Sequence, residues 1–300
     1  MPNNEAPVAG GILLLDKPTG LSSNAAVQRV RALLGRPKAG HTGSLDPLAT
    51  GMLPICIGEA TKVAGALLGG AKGDTVTMKL GVRTDTGDST GNVIEQAPVP
   101  ALDASRLEQA LSALRGPQQQ VPPMYSALKR GGQPLYRLAR RGLTIERAPR
   151  AIEIYELEAL DSGADTVRLR VECSKGTYVR TLVEDLGARL GTCAHVTALR
   201  RDFVAPFRGE PMHTLAELQG ASGLPPLLGA DRALAHLPQV RLTPAQERAL
   251  GFGQATDLGG CMEGPVRLYG ANGRFMGLGQ AGDDGRLRPL RLFATGLARA

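Results

Sequence analysis

The sequence predicts a chain that combines helices with strands and ends in a small, separate β domain. Residues 165–173 alternate apolar with polar side chains, which is typical of a half-buried strand. Residues 175–191 space their apolar side chains as one face of a helix does. From residue 241 onward, strand-like stretches flank an Asn-Gly turn at 272–273 and an Asp-Gly turn at 284–285, which indicate β-hairpins.

The first elements are a strand and a capped helix. Residues 10–18 read as a buried strand that stops at a Lys-Pro pair. Residues 22–35 follow as a helix for which either Ser22 or Ser23 can be the N-cap, and Gly35 ends it. An irregular, glycine-rich loop comes next.

Further elements alternate along the middle of the chain. Residues 74–81 resemble a strand and residues 102–116 a capped helix. Residues 118–142 begin extended and become a short basic helix near 134–141.

The helix at 175–191 positions two polar side chains at its start. Thr177 is the expected N-cap, and Gly191 lies at the C-terminal stop. Tyr178 and Arg180 are therefore expected in the first turn.

The chain is basic. Its 300 residues contain 35 Lys and Arg against 28 Asp and Glu, which gives a net charge of +7, and 42% of the residues are hydrophobic. The pI is near 9.5. This balance favours a polyanionic partner such as nucleic acid, although a merely basic enzyme has a similar composition.

The four cysteines lie far apart and form no Cys-x-x-Cys pair, which argues against a zinc knuckle and a disulfide framework. No signal-peptide pattern opens the sequence, and no apolar run approaches the length of a membrane span. We therefore expect a cytoplasmic protein without a membrane span.

Residues 40–51, GHTGSLDPLATG, hold a single carboxylate in an irregular loop. The loop lacks the lysine of a phosphate-binding P-loop. Ser44, His41 and Asp46 lack the G-x-S-x-G context of a hydrolase triad. Residues 85–92 do not satisfy a calcium-loop pattern, so a solvated turn is the simpler interpretation.

A carboxylate nucleophile remains. Pro47 biases Asp46 toward an extended backbone. An ionised aspartate can attack an anomeric carbon or another electrophilic ring position, and it needs a nearby cation to stay ionised in a dry pocket. Arg180 is the candidate cation. A usual glycosidase needs two carboxyl groups, and no second acid stands in comparable surroundings in the sequence.

Five segments together resemble the bacterial tRNA pseudouridine-55 synthases of the TruB family, in that family's order over roughly residues 10–210. The segments are residues 11–24, 40–62, 80–91, 120–142 and 173–201. The end of the chain is more weakly similar to that family's PUA-like domain.

The resemblance implies an α+β fold, with a mixed, largely antiparallel sheet, flanking helices and a small C-terminal PUA-like β domain. It divides the chain into a catalytic domain with its connecting segment, 1–240, and an RNA-binding domain, 241–300. It also implies that no cofactor and no metal are used, and we expect a monomer.

The implied activity isomerises the uridine at position 55 in the TψC loop of tRNA to pseudouridine. The uracil leaves C1′ through N1, turns in the pocket and rejoins through C5, so nothing is hydrolysed. The target nucleotide is flipped out of its folded RNA. Attack at C1′, attack at C6 and a glycal route all remain open.

The resemblance also assigns residues. Asp46 falls on the catalytic aspartate, and Arg180 on the arginine that pairs with it. His41 lines the nucleotide site, Tyr178 contacts the target nucleotide, and Leu199 packs at the base.

One position departs from the family pattern. Asp74 stands where a tyrosine that stacks on the target base is expected. Either the local register slips, another aromatic such as Tyr125 or Tyr136 substitutes, or activity is impaired. A second carboxylate close to Asp46 would also raise a pKa within the pair.

Two other functions fit parts of the sequence. A tRNA-folding chaperone with weak or no catalysis fits the departure at Asp74, but it would not need Asp46. A glycosidase acting on free nucleosides lacks a second acid and leaves the basic charge unexplained.

Overall fold

A computed structural model describes residues 10–67, 69–221, 225–260 and 262–293. The strands are β1 (Gly11–Lys17), β2 (Ala39–His41), β3 (Thr50–Ile57), β4 (Lys72–Leu80), β5 (Val82–Thr84), β6 (Val93–Gln96), β7 (Gly116–Gln120), β8 (Lys129–Arg130), β9 (Gln133–Pro134), β10 (Arg150–Ser162), β11 (Thr166–Cys173), β12 (Ala194–Val204), β13 (Gln239–Arg241), β14 (Thr256–Asp257), β15 (Gly264–Tyr269), β16 (Phe275–Ala281) and β17 (Arg286–Leu292). The α-helices are α1 (Ser23–Leu33), α2 (Ala64–Leu67), α3 (Ala104–Ser112), α4 (Leu135–Ala139), α5 (Val179–Arg189), α6 (Leu215–Gly220) and α7 (Pro244–Gly251), with 3-10 turns at Gly58–Lys62 and Ala230–Leu234.

The larger sheet has eight strands in the order β1-β3-β12-β4-β11-β10-β7, with β2 paired to β3. All its pairings are antiparallel except that of β12 with β3. The expected α+β class with a mixed, largely antiparallel sheet is therefore confirmed.

Both faces of this sheet are covered. The buried side chains of β4 and β11 join those of α1, α3 and α5 in one core cluster. The opposite face packs with the 3-10 turn at Ala230–Leu234 in a second cluster. In β11 the predicted alternation holds, because Val167, Leu169 and Val171 are fully buried.

The start of α5 differs from the prediction. Its N-cap is Tyr178 and not Thr177. The side chain of Gln120, at the end of β7, accepts a hydrogen bond from the Tyr178 N–H at 2.8 Å and donates one to its carbonyl oxygen at 3.2 Å. A side chain from a distant strand therefore holds the backbone of the N-cap residue, and none of the described side chains caps the first turn of α5. At α1, Ser22 is the N-cap, as one of the two predicted choices.

A second sheet of five strands, in the order β13-β15-β16-β17-β14, ends the described chain. Gly273 and Gly285 adopt positive φ angles in the two predicted hairpin turns. The small C-terminal β unit is thus confirmed, while the domain boundary at residue 240 stays a prediction. None of the described helices has the length and apolarity that a membrane span requires.

Candidate active site

The loop between β2 and β3 carries Asp46 and is hydrogen-bonded to the first residue of α1. The Ser23 hydroxyl accepts a hydrogen bond from the Leu45 N–H at 2.7 Å and donates to the Leu45 carbonyl at 3.0 Å. Leu45 and Ala49 are buried on either side of Asp46. These contacts anchor the loop, and the Asp46 side chain is 38% exposed.

Arg180 makes a two-point contact with this carboxylate. Its Nε lies 2.8 Å from Asp46 Oδ2, and its Nη2 lies 3.2 Å from Oδ1. The guanidinium is itself fixed, because it donates to the carbonyl oxygens of Thr86 at 2.6 Å and Tyr125 at 2.7 Å. Its side chain is only 5% exposed. The two residues assigned to catalysis are therefore neighbours in the structure.

Opposing effects act on the ionisation of Asp46. Burial raises the pKa of its carboxyl group, and the charge of Asp88 raises it further. The cations of Arg180 and Arg201 lower it. The pKa lies above its usual value, and Arg180 is the main group that favours the ionised form.

Asp88 is a second acid that sequence reasoning missed. Its carboxylate is buried and accepts hydrogen bonds from the Thr86 hydroxyl at 2.9 Å, the Thr90 N–H at 2.9 Å and the Thr90 hydroxyl at 2.6 Å. The expectation of a solvated turn at 85–92 is wrong for this residue. The sequence feature that indicates this buried acid is a threonine two positions away on each side, Thr86 and Thr90.

His41 ends β2, directly before the Asp46 loop, and Tyr178 is the N-cap of α5, two residues before Arg180. The His41 Nδ1 lies 2.8 Å from the Gly43 carbonyl oxygen, and burial lowers the pKa of the ring. Burial raises the pKa of the Tyr178 phenol, which is close enough to Asp46 and Arg180 to feel their charges. At neutral pH both side chains are therefore predominantly uncharged.

Leu199, on β12, is 8% exposed and belongs to the same buried cluster as Leu45. Its backbone pairs with Val76 of β4. It therefore packs in the core that supports the loop, and this core includes Leu45, the residue directly before Asp46.

Asp74 lies on β4 and is 1% exposed. Its carboxylate pairs with Arg201, at 2.9 Å from Nε and 3.3 Å from Nη2. On one side β4 pairs with β11 without a shift from Lys72 to Lys79, and on the other its pairing with β12 shifts directly after Arg201, the residue opposite Asp74. The acid that raises the pKa of Asp46 is Asp88, and Asp74 is neutralised by its arginine.

Lys17 is a buried cation close to the site. Its Nζ donates to the carbonyl oxygens of Pro18 at 2.9 Å and Leu21 at 2.8 Å. Burial lowers its pKa to about 8, with the charge of Asp46 opposing this. Its hydrogen bonds fix the turn between β1 and α1.

Among the described residues, no three His, Cys, Asp or Glu side chains cluster in a way that could hold a metal ion. The arrangement of Asp46 and Arg180 suits a carboxylate that acts as a nucleophile or base.

Protein-family models cover most of the chain. Residues 31–179 match the TruB family pseudouridylate synthase N-terminal domain, and residues 180–225 match the tRNA pseudouridylate synthase B C-terminal domain. Residues 238–293 match the pseudouridine synthase II TruB C-terminal model.

Curated relatives are similar over nearly their whole length. A tRNA pseudouridine synthase B of Stutzerimonas stutzeri is 50% identical over 293 residues, covering 95% of this chain and 96% of that protein. One of Aromatoleum aromaticum is 48% identical over 291 residues, covering 96% and 94%.

Among solved structures, a Cbf5-Nop10-Gar1 complex aligns with a TM-score of 0.70 at 25% identity, covering 95% of this chain and 84% of the matched chain. An H/ACA RNP bound to a substrate RNA containing 2'-deoxyuridine aligns with a TM-score of 0.69 at 23% identity, covering 95% and 85%. These structural similarities agree with the expected fold, including its small C-terminal β unit.

Proposed function

Because the chain belongs to the TruB family of pseudouridylate synthases and isomerises uridine in tRNA to pseudouridine, we propose that its target is uridine 55 of the TψC loop and that Asp46 is the catalytic nucleophile. The observation that carries the assignment is the two-point contact between Asp46 and the buried Arg180. A guanidinium held by two backbone carbonyls favours the ionised form of the carboxylate and orients it.

The reaction explains why a single nucleophilic carboxylate is enough. The N1–C1′ bond of uridine breaks, the C5–C1′ bond forms, C5 loses a proton and N1 gains one. The uracil that leaves is also the group that returns, so no water has to be activated by a second acid. Asp46 can act in this sequence by attack at C1′, by attack at C6, or by removing a sugar proton on a glycal route.

His41, Tyr178 and Leu199 complete the nucleotide site in this proposal. Tyr178 contacts the target nucleotide next to Arg180, and His41 lines the site at the start of the loop. Leu199 packs at the nucleobase. Their closeness to the Asp46 loop supports these roles.

A basic segment supports binding of the T-arm. Six Lys and Arg side chains between 129 and 150 are exposed. They are Lys129, Arg130, Arg137, Arg140, Arg141 and Arg150. The segment starts four residues after Tyr125, whose carbonyl holds Arg180. Contacts with phosphates and 2′-hydroxyls would offset the few kcal/mol needed to flip the nucleotide out of the loop.

A binding-only role as a tRNA chaperone fits the site poorly, since gripping RNA does not require a carboxylate fixed on a buried arginine. We expect the chain to act as a monomer, which light scattering of the purified protein tests. Because its substrate is tRNA, we expect the protein to act in the cytoplasm.

The test is incubation of the full chain with a T-arm stem-loop, followed by mapping of pseudouridine and nucleoside analysis. We expect conversion at position 55, and conversion is lost in Asp46→Asn while RNA binding largely survives. Asp165→Asn, at an exposed ion pair with Lys79, is the matched control and should be fully active. Turnover near the wild-type rate in Asp46→Asn, or modification only at other uridines, contradicts the proposal.

A further inference from the structure

The ion pair of Asp74 and Arg201 is buried beside the active-site loop, and the site described above uses only the charge of Arg201, which lowers the pKa of Asp46. The two side chains are 1% and 8% exposed, and two nitrogens of Arg201 face the two oxygens of Asp74. They belong to β4 and β12, which are paired neighbours in the sheet. A fork-to-fork contact of this kind fixes the plane of the guanidinium.

Arg201 contacts the chain on both sides of Asp46. At the start, its Nη1 donates to the Ser44 carbonyl oxygen at 3.3 Å. At the end, its backbone pairs with Gly51, the second residue of β3. The approach is so close that a Cβ on Gly51 would lie 2.1 Å from the Arg201 carbonyl oxygen, and Gly51 has a φ of +97°. One residue therefore contacts the chain two residues before Asp46 and five residues after it.

Asp74 offsets more than one positive charge here. The Lys72 ammonium lies 4.0 Å from where a Cβ on Gly43 would stand, and its pKa is lowered by burial and by the charge of Arg201. The Asp74 charge opposes that lowering. Without Asp74, two cations would face each other in a buried region beside the loop.

We propose that Asp74 is a positioning residue: it orients Arg201, and Arg201 holds the Asp46 loop through the Ser44 carbonyl and the backbone at Gly51. This inference rests on the proposed function, because it assigns Asp74 a role through the nucleophile of that reaction. Asp74 itself does not touch the substrate. The family resemblance leads us to expect a stacking tyrosine at this position. In this chain the residue there, Asp74, positions the Asp46 loop instead.

The pair has an electrostatic signature at Asp46. The groups that face Asp46 are Arg180, Asp88, Arg201, Lys17 and Tyr178. Those that face the pair from its neighbours are Lys72 and Cys173. Removing the negative charge of Asp74 makes the potential at Asp46 more positive and lowers the pKa of Asp46. Removing the positive charge of Arg201 raises that pKa.

The experiment compares full-length wild type with Asp74→Asn, Arg201→Gln and Arg201→Lys, in single turnover with saturating stem-loop from pH 4.5 to 9. We expect all three to lower the plateau rate, by about 10- to 100-fold, as small misplacements of a catalytic group do. The acid limb of the profile moves to lower pH in Asp74→Asn, to higher pH in Arg201→Gln, and stays in place in Arg201→Lys. Opposite movements from two partners of one pair are not expected from a general loss of packing.

A second readout does not need activity. Amide hydrogen exchange of residues 42–51 should be faster in all three variants than in wild type, while exchange in α5 is unchanged. The control is Glu158→Gln, in an exposed Arg–Glu pair across β10 and β11 of the same sheet, which should behave as wild type in both readouts.

The outcomes separate the two proposals. A wild-type protein without activity on the stem-loop contradicts the proposed function, and the exchange of residues 42–51 then decides the positioning role alone. An active wild type with Asp74→Asn at the same rate and the same loop exchange overturns the inference, as do acid limbs that move in the same direction. If Asp74→Asn does not fold, Arg201→Lys decides: a wild-type rate and loop exchange in that variant overturn the inference.

Discussion

The Arg180 Nε lies 2.8 Å from Asp46 Oδ2, and the same guanidinium donates to two backbone carbonyl oxygens, those of Thr86 and Tyr125. Three separate segments thus fix one side chain, so the cation is already oriented before any RNA arrives. Preorganised charge of this kind stabilises charge changes in a reaction without a reorganisation cost.

The first prediction concerns Arg180. Arg180→Ala should lower the single-turnover rate by about 100- to 1,000-fold, the range found when one preorganised donor is removed. The affinity for the stem-loop should change far less, because Arg180 is buried and holds Asp46 more than it holds RNA. Rate at saturating RNA and equilibrium binding are the two measurements.

The control for Arg180 is Arg189→Ala, in the last turn of the same helix. It removes an exposed arginine without touching the Asp46 carboxylate and should leave the rate unchanged. A wild-type rate for Arg180→Ala under saturating RNA would remove Arg180 from the active site.

The second prediction concerns Asp88. Its charge raises the pKa of Asp46, so Asp88→Asn should lower that pKa and move the acid limb of the rate profile to lower pH. Asparagine is suitable because its amide oxygen can accept the three hydrogen bonds that Asp88 Oδ1 accepts now. The measurement is the single-turnover rate across the acidic range, scaled to each protein's plateau.

The matched control is Asp85→Asn in the same turn, where the carboxylate binds the backbone and side chain of Asn92. Its acid limb should coincide with that of wild type. An acid limb of Asp88→Asn that moves to higher pH would refute the electrostatic role of Asp88.

How far the sequence predicts the site depends on whether the relevant contact is local. The Asp46 loop is recognisable because its glycines and Pro47 lie beside the acid, and the need for a cation leads to Arg180. Asp88 escaped prediction because residues 85–92 have the composition of an exposed turn. Its burial arises from β12, whose Val196 pairs with Asp88 from far along the chain.

The same limit explains two other outcomes. The strand containing Asp74 was predicted from its pattern, but the partner that neutralises Asp74 is 127 residues away. The N-cap of α5 was assigned to Thr177, a local hydroxyl, whereas Gln120 makes the contacts at that end from the end of β7. Periodicity predicts elements, and it does not predict which side chains from distant elements meet.

The third prediction concerns the pH dependence of stability. The folded-state pKa of Lys17 is about 8, below the usual value of 10.5, so between these two values the unfolded chain binds more protons at this site than the folded chain. This site therefore contributes stability that rises with pH through that window. Its contribution to the free energy of unfolding has a slope of at most about 1.4 kcal/mol per pH unit.

Lys17→Met isolates this effect. Denaturant unfolding of both proteins at pH 7, 8.5 and 9.5 gives the difference in free energy of unfolding, in which the titrations of the cysteine thiols and other groups cancel. We expect wild type to gain relative to Lys17→Met as the pH rises, while the variant loses the hydrogen bonds to Pro18 and Leu21 at every pH. A pH-independent difference would show that Lys17 has an ordinary pKa in the folded protein.

The fourth prediction concerns the basic segment between 129 and 150. Affinity for the T-arm stem-loop should fall steeply with added salt, because lysine and arginine side chains that bind phosphates release counterions. Replacing Arg137, Arg140 and Arg141 with Gln should make the slope of log K against log salt shallower by about 0.7–0.9 for each phosphate that the variant no longer neutralises.

The control replaces Arg168 and Arg170 of β11 with Gln, which removes exposed charge from a different surface and should leave the slope unchanged. A slope that both sets reduce equally, for each charge removed, would mean that general charge and not this segment binds the RNA. A flat salt response of wild type would contradict electrostatic binding altogether.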